Sequence, residues 1–160
     1  MGGLVGWRMW THPDVFPDGV RISLGPRPLS SAAVSIPVTW DSDGAPTTVT
    51  FHSAHAFFAT NTAAAHVTFE ICQRSPGKIF TPVYGGLSLD CTSVTPLTPG
   101  VTMTYPTHPF AHDYVMVTVT PTRPGVAVLS NVRFTYSLPS HHLPRPITDD
   151  VAMNVTIPVR

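Results

Sequence analysis

Apolar residues recur at every second position in one window of this chain after another. In Val67-Thr68-Phe69-Glu70-Ile71-Cys72, the side chains of Val67, Phe69 and Ile71 share one face. In Val115-Met116-Val117-Thr118-Val119 the three valines share a face. In Val132-Arg133-Phe134-Thr135-Tyr136, Arg133 and Thr135 take the wet side, and the tail 151–159 alternates as well. Period two with β-branched residues is the signature of half-buried strands. The pattern predicts strands near 20–24, 34–40, 47–52, 54–60, 65–73, 79–84, 86–91, 100–105, 114–121, 126–137 and 151–159.

Turn chemistry separates these windows. Eighteen prolines and eleven glycines are spread along the whole length and leave almost no stretch long enough for a helix. Asp41-Ser42-Asp43-Gly44 reads as a hairpin-type turn. Ser75-Pro76-Gly77, Thr98-Pro99-Gly100 and Arg123-Pro124-Gly125 are Pro-Gly breaks. Tyr84-Gly85-Gly86 reads as a bend that lets the chain change sheets. The one helical window, 61–65, is about one turn. Many short strands with regular turns predict an all-β, two-layer antiparallel β-sandwich, either jelly roll or immunoglobulin-like.

Two segments lack clean alternation. Residues 1–19 contain Trp7, Trp10 and Phe16 and read as an extended N-terminal arm that packs on the sandwich or on a neighbour. Residues 138–148, with His141 and His142, read as a proline-rich extended connection. The expectation is one sandwich domain over 20–160, with interface residues Trp7, Trp10, Phe16, His141 and His142.

Composition sharpens this picture. Only 11% of the chain is charged, against about 25% for an average soluble domain. Lys78 is the only lysine and Glu70 the only glutamate, and the formal net charge is zero. Such a surface is suited to being covered by other proteins. Arg8, Arg21, Arg27, Arg74, Arg123, Arg133, Arg145 and Arg160 are scattered, so tight phosphate-driven binding by one subunit is not expected; at most weak nucleic-acid contact is. No apolar run approaches the roughly 20 residues that span a bilayer, and residues 1–10 do not read as a secretory signal. No membrane partner is expected. Cys72 and Cys91 are the only cysteines; a disulfide and two buried thiols both fit.

Candidate chemistry is sparse. His108-Pro109-Phe110-Ala111-His112-Asp113 has a His spacing seen in zinc sites, but Pro109 blocks the helix that presents such a pair, so a polar loop is expected. His52 and His55 point to opposite faces of a regular strand, as do His141 and His142. No G-x-S-x-G occurs, and Asp149-Asp150 beside an isolated Glu70 is a poor carboxylate pair. Asn154-Val155-Thr156 is a glycosylation sequon that falls in an expected strand and is discounted. No catalytic residue, metal, cofactor or small-molecule substrate is expected.

The run Val67-Thr68-Phe69-Glu70-Ile71, then Ser75-Pro76, then Val83-Tyr84-Gly85-Gly86 with Ser88, resembles the middle of tymovirus-type coat proteins. The stretch 114–120, then Pro121-Thr122-Arg123-Pro124, then 132–137 and 141–148, is similar to the end of such proteins. The resemblance implies a jelly-roll subunit of a small icosahedral shell, partnered by copies of itself or other shell proteins and located in a virion assembled in a host cell. The strand at 151–159 extends past the point where those proteins stop. The order of strands with Cys72 and Cys91 also resembles immunoglobulin-like domains of actinobacterial surface or secreted proteins. That resemblance implies a binding or spacer module, bridged between Cys72 and Cys91, at a cell surface or secreted. A phage decoration or tail protein is a further alternative. The jelly roll is preferred, and with it a non-enzymatic capsid subunit acting through subunit packing.

Overall fold

The computed structural model describes residues 20–38, 47–74, 83–84, 91–105, 113–138 and 145–160. The arm with Trp7, Trp10 and Phe16, the turn at 41–44, Lys78, His108, His112, His141 and His142 lie outside the described residues.

Among the described residues ten strands follow in chain order: β1 (Val20–Ser23), β2 (Val34–Pro37), β3 (Thr47–Asn61), β4 (His66–Arg74), β5 (Val83–Tyr84), β6 (Cys91–Pro96), β7 (Thr102–Tyr105), β8 (Asp113–Thr120), β9 (Gly125–Ser137) and β10 (Ile147–Val159). They form two five-stranded sheets. The front sheet has the order β1-β10-β9-β3-β7, and the back sheet the order β5-β2-β8-β4-β6. All pairings are antiparallel except β1 with β10, which is parallel.

The period-two pattern does the work expected of it. Val34 and Ile36 of β2 meet Val115, Val117 and Val119 of β8 from the back sheet. Val49 and Phe51 of β3, Leu129, Val132, Phe134 and Tyr136 of β9, and Val151, Met153, Val155, Ile157 and Val159 of β10 meet them from the front. Phe134 stands edge-on to Phe51 beside it (6.0 Å between centroids) and to Phe69 of the opposite sheet (5.8 Å). Burying a Val, Leu or Phe side chain contributes about 1.5–3 kcal/mol, so this shared core is what holds the sheets face to face.

Several boundaries differ from the sequence expectation. The windows 47–52 and 54–60 are one strand, β3, with register shifts between Phe51 and Ser53 and on either side of Phe58. A bulge absorbs the extra residue that made the alternation look broken. The last strand begins at Ile147, so the end of the proline-rich connection is already paired. Of the expected strand at 86–91 only Cys91 lies within the described residues, and there it opens β6, which runs on to Pro96. The short 3₁₀ turn at Leu29–Ser31 was not foreseen.

The 61–65 window is a turn between β3 and β4. Ala65 N donates to Asn61 Oδ1 (2.7 Å), and Asn61 Nδ2 donates back to Ala65 O (2.9 Å). That local competition for backbone groups explains why no helix forms. Gly125 packs directly on this turn with φ of 147°; a Cβ there would stand 2.8 Å from Ala63 N. Among the described residues no helix is long and apolar enough to cross a membrane.

Candidate functional site

The surfaces that face away from the core carry the functional information that the described residues hold. Among the described residues no group of three His, Cys, Asp or Glu is placed to hold a metal.

The outward face of the front sheet is polar. Thr48 and Thr104 share a hydrogen bond (3.0 Å), as do Thr135 and Thr148 (3.2 Å), each across neighbouring strands. His55 of β3 stands opposite Arg133 of β9, which stands opposite Asp150 of β10. Arg133 grips Asp150 with two bonds, Nε to Oδ1 at 2.7 Å and Nη2 to Oδ2 at 2.9 Å. That hydrogen bond holds Asp150 below the usual carboxylate range and raises Arg133 in turn. The guanidinium also lies 5.3 Å from the ring centroid of Phe57, itself 42% exposed. Both charged side chains are nearly half exposed, so solvent screens most of the pair's attraction.

His52 and His55 do not point to opposite faces. His52 bonds Ser137 Oγ while His55 faces Arg133, and both are exposed on the front sheet. The bulge between Phe51 and Ser53 supplies the extra residue that returns both rings to one side. The adjacent carboxylates separate for the opposite reason, since β10 is regular there. Asp149 turns inward and accepts from Tyr136 Oη (2.8 Å), while Asp150 turns outward to Arg133. Neither arrangement assembles an acid–base pair.

The back sheet differs. Its outward side carries a second buried cluster: Cys72, Cys91, Tyr114 and Met116. Cys72 and Cys91 form a disulfide with Cα atoms 5.4 Å apart, linking β4 to β6 within one sheet. Two residues of β6 are used where β4 uses one, between Gln73–Ser93 and Arg74–Cys91. This bulge at Thr92 brings Cys91 onto the same side as Cys72. Beside the bridge runs a polar chain. Ser35 Oγ and Thr118 Oγ1 share a hydrogen bond (2.7 Å), Thr118 donates to Glu70 Oε2 (3.0 Å), and Thr68 donates to Glu70 Oε1 (2.6 Å). The chain's one glutamate thus has both oxygens occupied by hydroxyls of the sheet, which is structural use of a carboxylate.

The expected interface residues Trp7, Trp10, Phe16, His141 and His142 lie outside the described residues, and of the residues singled out for a site only Cys72 and Cys91 are brought together. The Arg133–Phe57–Asp150 group was missed because its members sit on three strands, 17 and more residues apart. The one available signal was the position of Arg133 on the wet side of an alternating window. No protein family, no characterised protein and no solved structure matches this chain.

Proposed function

We propose that this chain is a non-enzymatic structural subunit that acts by packing against copies of itself, as a jelly-roll protein of a viral capsid or virion shell. The observation that carries the reading is the pairing order. β2 pairs with β8, β3 with β7, and β4 with β6, alternating between back and front sheets. A long hairpin rolled into a sandwich gives this nesting, with β5 at its tip, and double Greek keys of that kind are the jelly roll of viral shells. Two pairings depart: β5, at the tip in sequence, lies against β2 at the edge of the back sheet opposite β6, and β1 and β9 are separated by β10, which lies between them. The strand past the family's usual end therefore occupies the place that the first strand would take.

The rest of the support is compositional. A chain that is 11% charged with zero net charge does not strongly repel its own copies. On this reading the chain is assembled in a host cell and found in the virion, with only weak contact to nucleic acid.

A second reading, an immunoglobulin-like binding or spacer domain at a cell surface, is favoured by the Cys72–Cys91 bridge, because disulfides persist in oxidising settings. Against it, the bridge lies inside one sheet, whereas immunoglobulin domains pin their two sheets together. Electron microscopy of the purified full chain, with sedimentation over a range of concentrations, tests both. Closed particles or discrete oligomers support the shell reading. A chain that stays monomeric at every concentration with its bridge intact overturns it in favour of the spacer.

A further inference from the structure

We propose that Asn154 is an N-glycosylation site, carrying an oligosaccharide on the outward face of the front sheet where β10 meets β1. The inference does not rest on the shell reading. It requires that the chain folds in an oxidising, glycosylating compartment.

The chain has three asparagines, and the fold uses two of them. Asn61 closes the turn between β3 and β4 with bonds in both directions to Ala65. Asn131 is half-buried, and its side chain bonds Asp150. Asn154 differs. It stands inside β10, where asparagine is a poor strand former, and it is exposed between the buried Met153 and Val155. Among the described residues nothing hydrogen-bonds its side-chain amide. Packing and strand pairing therefore give no reason for an asparagine at this position.

The same residue opens the chain's one Asn-X-Thr sequence, Asn154-Val155-Thr156. Lying in a strand does not hide it. β10 alternates here, so Asn154 and Thr156 share the outward face while Val155 joins the core. The neighbours leave room for a sugar. Ala152, the preceding outward residue, is small and exposed, and the Cα partner on β1 is the exposed Arg21. Toward β9 the register breaks between Ala152 and Val155, and a bulge of this kind bends the strand and re-aims a side chain. β1 is the outer strand of the sheet, so the sugar stands one strand from its edge.

An independent observation points to the compartment. Cys72 and Cys91 are bridged, and disulfides form and persist in oxidising settings such as the secretory lumen, where N-glycans are attached. The co-reactant is an oligosaccharide linked through pyrophosphate to a lipid. Asn154 Nδ2 forms a bond to the anomeric carbon and the bond from that carbon to the pyrophosphate oxygen breaks. The lipid pyrophosphate leaves with the electron pair, and the amide proton passes to a base of the transferase. The product suits the composition. A chain that is 11% charged has few ions to keep its surface hydrated, and a glycan is bulky and solubilising. It also reserves this edge of the front sheet for solvent, so contacts between copies lie elsewhere.

The full chain, directed to the secretory lumen of cultured eukaryotic cells by a cleavable leader, is analysed by intact mass and peptide mapping. One glycan per chain is expected, on the peptide that contains Asn154, and peptide N-glycosidase is expected to remove it. Asn154→Gln and Thr156→Ala are each expected to abolish it, whereas Thr156→Ser keeps the hydroxyl and is expected to retain it. Asn154→Gln is also expected to leave urea unfolding unchanged, because the amide holds nothing in the fold. A chain secreted with its bridge closed and Asn154 bare overturns the inference and leaves the shell reading standing. Cysteines that stay reduced in the lumen overturn it too, since the bridge is the ground for that compartment. An Asn154→Gln variant that unfolds more readily counts against it, because the residue then has a structural use.

Discussion

The front and back sheets have the same number of strands and share one core, yet they are finished differently. The front sheet presents a polar outward face of threonines, serines and histidines, satisfied across strands. It is held by what lies beneath it. The back sheet is apolar on both sides at its centre, where Val115 and Val117 face the core while Tyr114 and Met116 join the outward cluster. Its edge strand β6, exposed from Thr92 to Pro96, lies beyond the support of the core and is stapled to β4 instead, by the Cys72–Cys91 bridge and by Thr92 Oγ1 on Gln73 O. The contrast separates two ways of keeping a strand in place. Where apolar burial is available, polar residues outside need only be satisfied. Where it is absent, a covalent link and side-chain bonds to a neighbouring backbone take over.

The sharpest way to break the contrast is to empty the core that both sheets share. Phe134→Ala removes the ring that touches Phe51 in its own sheet and Phe69 in the other. The expected loss is about 3–5 kcal/mol in urea unfolding, felt by both sheets as one cooperative transition. A smaller and local effect is expected from replacing both cysteines, Cys72→Ala with Cys91→Ala. With the cysteines 19 positions apart in sequence, removing the bridge costs about 2–4 kcal/mol. Hydrogen exchange then shows where it acts: amides of β6 bonded to β4 lose protection first, and those of β9 and β10 keep theirs. Equal loss in both sheets would show that β6 depends on the core after all.

The same contrast explains how much was legible beforehand. Inward positions of β4, β8 and β10, and of β9 from Val132 to Tyr136, follow from simple alternation, because one wet face and one dry face leave a period of two. Tyr114 and Met116 were legible as strand residues but not as part of a second cluster, since a strand buried on both sides loses that signal. Bulges hid the rest. An extra residue at His52 put two histidines on one face, and another at Thr92 brought Cys91 to Cys72. Bulge positions are set by the partner strand, which local sequence does not contain. Arg133, Phe57 and Asp150 came together for the same reason, through pairings of β9 with β3 and β10.

Within the front sheet the two neighbouring aspartates allow a finer comparison between its faces. Asp149 turns inward and accepts from the buried Tyr136 hydroxyl, so Tyr136→Phe strands a carboxylate against the core. A hydrogen bond to a charged group contributes about 1.5–3 kcal/mol, and a loss of that order is expected in urea unfolding. A loss too small to resolve would mean that water replaces the hydroxyl and that this end of the inner face is wet.

Asp150, one residue on, is expected to give the smallest effect of all. Its folded-state value is lowered, chiefly by the hydrogen bond from Arg133. A lowered carboxylate stabilises the fold above its unfolded value, and that contribution disappears as pH falls through the folded value. Arg133→Gln should therefore let the Asp150 carboxyl titrate upward, back toward the ordinary range, in an NMR titration. It should flatten the acid side of the stability profile only slightly, because both partners stand in solvent. Loosening of Phe57, read from its ring signals, should accompany the change, since the guanidinium that covers the ring is gone. If instead the variant unfolds as readily as Tyr136→Phe, the outward face of the front sheet is not merely satisfied but helps to hold the sheet, and the division between a packed sheet and a stapled edge loses its basis.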